Sequence, residues 1–232
     1  MPKNKKMDIL YEDKELLVIN KPAGLLTIAT EKESFHTLYH QAREYVKKQN
    51  PKNKIFIVHR LDKDTSGIVL FAKNEKLKKE LQNNWNKIAF KREYIAIVEG
   101  KVSKKKETLK SYLAESKTHQ VYSSSKGVLA ITHYETLANS KAYSLLKITI
   151  DTGRKNQIRV QLSEIGHPIV GDKKYGCTKN PMGRMGLHAS CLGLKLKNKE
   201  YMFFARVPTE FKRIFEREIE DYESFTSTTV KK

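Results

Sequence analysis

The stretch Ile55-Phe56-Ile57-Val58-His59-Arg60-Leu61-Asp62-Lys63-Asp64-Thr65-Ser66-Gly67-Ile68-Val69-Leu70-Phe71-Ala72 decides the fold and points to the chemistry. Two apolar, β-like runs flank a polar turn that ends in Ser-Gly, the pattern of strand, tight loop and strand. A solvated hairpin turn would account for Asp64 to Gly67. It leaves His59, Arg60 and Asp62 without a reason to stand together at a strand end. Polarity that breaks an apolar pattern in this way marks a place where function overrides folding.

Two metal readings compete for this loop. Asp62, Asp64, Ser66 and Gly67 imitate the start of a calcium loop, but the twelfth position is Lys73 where a bidentate Glu is required. Asp62-x-Asp64-Thr65 after an apolar run also imitates the nucleophile loop of magnesium-dependent phosphatases. Those enzymes need a later acidic pair, and Gly171-Asp172 is followed by Lys173, Lys174 and Tyr175. The phosphatase reading stays as a weak rival, and no metal is expected.

The 232 residues are enough for a substantial core, and 45 Lys and Arg against 26 Asp and Glu leave a net charge of +19. Such an excess suits a polyanionic partner, nucleic acid first, although general lysine enrichment accounts for part of it. Lys104-Lys105-Lys106 and the terminal lysines read as solvated. Cys177 and Cys191 show no metal or redox spacing. No apolar run approaches the ~20 residues that span a bilayer, and residues 1–15 hold no signal-like apolar segment. A cytoplasmic protein with no membrane partner is expected.

The chain reads as one α+β domain over residues 8–222, with short tails at 1–7 and 223–232. A hairpin is expected over 8–20, helices over 34–49 and 75–90, and a strand over 92–98. Lysine- and serine-rich 101–127 suggests short strands and exposed loops. Strands follow at 128–136, 143–151, 188–196 and 200–206. A helix from Asn156 should stop at Gly166, and a closing helix over 209–220 should turn Phe211, Ile214 and Phe215 inward.

Two further clusters carry chemistry. In Thr152-Gly153-Arg154-Lys155-Asn156-Gln157-Ile158-Arg159, a strand ends in a turn and a cationic helix start follows. Arg154, Gln157 and Arg159 supply donors near a helix N-terminus, where anions are favoured. Ile158, Val160 and Leu162 alternate around Arg159 and pull it inward, where it needs a carboxylate; Asp62 is the candidate. In Lys91-Arg92-Glu93-Tyr94, the tyrosine opens an aliphatic strand. It reads either as a half-buried core residue or as a stacking face for a base.

These blocks in this order resemble the RluA-type pseudouridine synthases. Asn20-Lys21-Pro22-Ala23-Gly24 comes first, then His59-Arg60-Leu61-Asp62-x-x-Thr65-Ser66-Gly67 and Lys91-x-x-Tyr94-x-Ala96-x-Val98-x-Gly100. Thr152-Gly153-Arg154-x-x-Gln157-Ile158-Arg159, Gly166-x-Pro168-Ile169-x-Gly171-Asp172-x-x-Tyr175-Gly176 and Leu187-His188-Ala189 complete the set. The match runs from Asp8 to about Lys212. Two departures stand out: Asn156 replaces the family's usual His, and the His-Pro that follows the last motif is missing near Leu196-Lys197. Only about half a dozen residues precede the first strand, so the S4 RNA-binding domain of some relatives is not expected.

The resemblance implies a mixed, mostly antiparallel bent sheet with peripheral helices and a central basic cleft. It implies an isomerase that converts uridine to pseudouridine in structured RNA, tRNA or rRNA, without cofactor and as a monomer. Asp62 would be the nucleophile, by attack on base or ribose or through a glycal. Tyr94 would pack on the target base and Arg159 would favour the charged carboxylate. Arg60 would fill the space left by a flipped uridine, or serve as a phosphate clamp or an ion-pair partner of Asp64. His59 would support the loop beside the substrate. Lys21 would reach backbone phosphate or stand exposed in its turn. The class-level rival is a catalytically silent RNA-binding protein.

Overall fold

The computed structural model describes residues 7–30, 33 and 35–228. The chain forms two compact units: the chain up to Phe90 with Leu192–Ala205, and Lys91–Cys191 with Arg206 onward. In the first unit, β1 (Ile9–Glu12) and β2 (Leu16–Lys21) form the expected hairpin, followed by α1 (Leu38–Gln49). Thr37 caps α1 by accepting from the His40 amide, as short hydroxyl residues do at helix starts. Next come β3 (Phe56–Ile57) and β4 (Ser66–Ala72), antiparallel partners through Phe56–Ala72 and Ile57–Phe71. β4 is buried at every position and also pairs with β2, Lys21 standing opposite Gly67.

The helix expected over 75–90 is two, α2 (Glu75–Asn83) and α3 (Trp85–Ile88). Asn84 breaks it; its side-chain amide donates to the Glu80 carbonyl and competes with the helical ladder.

The second unit begins with β5 (Lys91–Glu99), β6 (Lys106–Glu115), β7 (Val121–Ser123), β8 (Val128–Asn139) and β9 (Tyr143–Ile150). They lie side by side, antiparallel, in the order β5-β9-β8-β6-β7. β6 corrects the expectation of short strands here. Its buried face is thin, chiefly Leu109 and Leu113, and its outward face carries Lys106, Lys110 and Tyr112. Cross-strand pairing to β8, not its own pattern, makes it a ten-residue strand. The helix α4 (Gln157–Glu164) follows, and Gly166 ends the segment with φ of +81°.

The strand β10 (Leu187–Leu196) is divided, 187–191 belonging to the second unit and 192–196 to the first. After β11 (Lys199–Phe204), α5 (Thr209–Lys212) and α6 (Glu216–Thr228) close the second unit. They replace the single helix expected over 209–220, although Phe211 and Phe215 are buried as anticipated.

In the first unit Leu16, Val18, Leu70, Leu77, Leu81, Leu192 and Leu194 share one core. In the second, Ala96, Val98, Leu146 and Ile148 pack with Ile158 and Leu162 of α4, and Tyr94 joins from the edge. Ile95, Ile97 and Leu145, on the opposite face, pack under Phe211, Phe215 and Ile219. Alternation along β5 thus assigns Tyr94 to the α4 side. Cys177 and Cys191 are free and buried.

Candidate functional site

Asp62 sits half-buried in the loop between β3 and β4, and the residues on both sides of it are pinned. On one side, the Thr27 hydroxyl donates to the Leu61 carbonyl (2.7 Å) and accepts from the Leu61 amide (3.2 Å). On the other, the Lys63 carbonyl accepts from the Gly24 amide (3.0 Å) and from Lys21 Nζ (2.9 Å). Lys21 Nζ also donates to the carbonyls of Pro22 (3.0 Å) and Leu25 (2.8 Å). The turn Thr65 N–H to Asp62 carbonyl (3.2 Å) closes the loop. Fixing both neighbours of a reactive group limits its conformations before substrate arrives.

Lys21 is where geometry departs from expectation. Its side chain is 0 % exposed, so it neither stands in solvent nor reaches outward to a phosphate. The ammonium is a knot between the β2 turn and the Asp62 loop. His59 is likewise built in. Its ring stacks on Trp85 (4.8 Å between centroids), and Nε2 accepts from the Leu70 amide (3.1 Å). Arg60 is exposed. No ion pair joins it to Asp64.

In the second unit the Thr152–Arg159 segment is organised by Gln157. Its side-chain oxygen accepts from the Thr152 hydroxyl (2.7 Å) and the Arg154 amide (3.0 Å). Its nitrogen donates to the Ile131 carbonyl and the Thr132 hydroxyl, both at 2.9 Å. Gln157 therefore shapes the turn from within, while exposed Arg154 donates Nε to the Leu129 carbonyl (3.2 Å).

Arg159 is 9 % exposed, as its apolar neighbours required. Its Nε and Nη2 take both oxygens of Asp172 at 2.6 and 2.8 Å, a bidentate geometry. The guanidinium also lies 5.0 Å over the Tyr175 ring. Asn156 completes the frame: its Oδ1 accepts from Arg159 Nη1 (3.1 Å) and its Nδ2 donates to the Tyr175 hydroxyl (2.8 Å). Asn156 makes no side-chain cap to α4 and has φ of +53°, a conformation asparagine tolerates. Asp172 is the residue that sequence reasoning overlooked as a carboxylate for Arg159. Its signal was a lone acid one glycine beyond the apolar Ile169-Val170 pair.

Lys21, His59, Arg60 and Asp62 thus lie on one framework, and Arg154, Gln157 and Arg159 on another. Tyr94 is half-buried at the edge of the second unit's core. Among the described residues no three His, Cys, Asp or Glu side chains converge as a metal site. No helix among them is long and apolar enough to cross a membrane.

The architecture is that of a known class. The solved structure of human RNA pseudouridylate synthase domain containing 4 superposes with a TM-score of 0.73, covering 92 % of each chain at 22 % identity. At the level of sequence, the RNA pseudouridylate synthase family profile matches residues 15–164, and the chain belongs to that family of isomerases. An uncharacterized RNA pseudouridine synthase of Bacillus subtilis, YhcT, is 37 % identical over 194 residues, 82 % of this chain. The chain spans 64 % of that relative's length. The tRNA pseudouridine synthase C of Haemophilus ducreyi is 34 % identical, with 80 % of this chain and 84 % of the relative covered.

Proposed function

We propose that this chain isomerises uridine to pseudouridine in structured RNA, tRNA or rRNA, with Asp62 as the nucleophile. The observation that carries the reading is the Asp62 loop itself. A carboxylate stands half-exposed between two residues that Thr27, Gly24 and Lys21 hold in place.

The reaction breaks the N1–C1′ bond, turns the base and joins C1′ to C5. N1 gains a proton and the C5 hydrogen leaves to water, so no redox partner or donated group is needed. Asp62 is an anion suited to capture the electron-poor base or sugar. Tyr94 offers its ring to the base and its hydroxyl to the departing C5 proton. Arg159, immobilised by Asp172, supplies a fixed positive charge to the reaction. Gln157 and His59 hold the backbone beside these groups, Lys21 fixes the Asp62 loop, and Arg154 and Arg60 meet RNA. Extruding a uridine costs a few kcal/mol, and a planar guanidinium at Arg60 is suited to stack in the vacated place. We place the enzyme in the cytoplasm as a monomer.

The test is release of tritium from RNA labelled at uracil C5, with EDTA present. Release that persists without metal is expected. Absence of release from both tRNA and rRNA pools would sink the assignment, and release that needs magnesium would favour a metal-dependent rival.

A further inference from the structure

Two arginines of the second unit are equally buried, 9 % exposed each, yet they are treated in opposite ways. Arg159 has both oxygens of Asp172. Arg92, two residues before Tyr94 on β5, has no ion pair among the described residues. Its Nη2 donates to the Asp151 carbonyl (2.6 Å), while its Nε is buried with no hydrogen-bond partner. Burial pushes its pKa down and outweighs the opposing influence of Tyr94 and Asp151. The Asp151 carboxylate is itself engaged, with Oδ2 2.9 Å from His133 Nε2. A buried cation without an anion carries a desolvation cost that folding does not return.

Among the described residues Arg92 Nη1 has no hydrogen-bond partner, and it faces Gly153, where a Cβ would lie 3.5 Å away. Glycine there leaves the end of the guanidinium uncovered. Gly153 does not have positive φ, so nothing in its own backbone conformation demands glycine.

We propose that Arg92 is a phosphate ligand for RNA, taking a non-bridging phosphate oxygen through the gap that Gly153 leaves beside Tyr94. This rests on the reading of the chain as an RNA-modifying enzyme and adds a subsite to it. The unmatched charge is the reason a phosphodiester, rather than a neutral base edge, belongs there. It also separates Arg92 from the surface lysines, whose charge is already solvated.

The experiment measures binding of the full chain to a fluorescein-labelled RNA stem-loop with uridines in its loop, from 50 to 300 mM KCl. For Arg92→Gln, the slope of log Kd against log salt should become shallower by about one phosphate, ~0.7–0.9. Affinity at 50 mM should fall about tenfold, the order of one lost ionic contact. Arg92→Lys should keep the slope. Gly153→Ala, which leaves Arg92 in place and adds only an ordinary contact, should weaken binding and flatten the slope in the same direction. The melting temperature of free Arg92→Gln should stay at or above wild type, because an uncompensated buried charge is removed. A wild-type slope in both Arg92→Gln and Gly153→Ala overturns the proposal, as does a loss in Arg92→Lys equal to that in Arg92→Gln. If Arg92→Gln does not fold, Gly153→Ala decides alone. Tritium release by the wild type is read in parallel. Release with unchanged slopes removes only the Arg92 subsite; flattened slopes without release remove the isomerase reading and leave an RNA site.

Discussion

The loop that carries Asp62 and the helix that carries Arg159 are both held firmly, by opposite means. Around Asp62 the anchors are hydrogen bonds to backbone: Thr27 on Leu61, and Gly24 and Lys21 on Lys63. The side chains of Arg60, Lys63 and Asp64 are left exposed. Around Arg159 the anchors are side chains, with Asp172 and Asn156 on the guanidinium and Tyr175 beneath it. Backbone anchoring fixes where a loop runs and leaves its side chains available to a substrate. Side-chain anchoring consumes the side chains and makes the charge itself part of the core. A group that must react suits the first arrangement, and a group that must only keep its charge in place suits the second.

The strongest way to break this comparison is to remove the reacting group without touching its anchors. Asp62→Asn keeps the shape of the side chain and leaves Leu61 and Lys63 pinned. Turnover by tritium release should fall by at least ~1,000-fold, since an amide is not an anionic nucleophile. RNA affinity and melting temperature should stay close to wild type. Steady turnover in the purified variant would remove Asp62 from the chemistry.

The opposite experiment acts on the second anchor. Asp172→Asn leaves Arg159 buried without the carboxylate that holds it. Loss of one partner of such a pair costs about 3–5 kcal/mol, so the denaturant midpoint should drop sharply. Asp172→Asn should therefore injure stability where Asp62→Asn injures rate. A variant with wild-type stability would mean that the bidentate pair contributes little to folding.

Tyr94 tests whether the α4 side of β5 meets the base. Tyr94→Phe should retain RNA affinity and slow a step after base rotation. Tyr94→Ala should lose ~1–3 kcal/mol of stacking in binding as well. Near-wild-type activity in both would leave Tyr94 as a core residue only.

Much of this contrast was written in the sequence, and the remainder was hidden for definable reasons. The Asp62 turn was legible because a continuous apolar run ends abruptly at His59 and another resumes at Ile68. The inward position of Arg159 was legible from Ile158, Val160 and Leu162. Its partnership with Asp172 was not. That contact depends on how the segment after α4 folds back, and nothing in a spacing of thirteen residues encodes it. Lys21 misled for another reason: lysine reads as solvent-exposed, and its acceptors are backbone carbonyls, which leave no trace in residue types. β6 was obscured because lysines cover its outer face, and only its partner β8 reveals it as a strand.

Arg60 provides the smallest and most discriminating test. It is exposed, unlike Arg159, and no ion pair with Asp64 restrains it. A guanidinium that stacks in the space of an extruded uridine is worth about 1 kcal/mol. Arg60→Ala should therefore slow turnover several-fold on a structured RNA, with little change in the salt dependence of binding. On an RNA whose target uridine is already unpaired and unstacked, less flipping energy is needed and the defect should shrink. Arg60→Lys should rescue poorly, because an ammonium has no planar face. The exposed Lys195 serves as the control, since Lys195→Ala should leave turnover on both RNAs unchanged. An Arg60→Ala defect of equal size on the two RNAs, fully restored by lysine, would make Arg60 a phosphate clamp. In that case Arg60 would meet RNA through charge alone, and base stacking would be left to Tyr94 of the second unit.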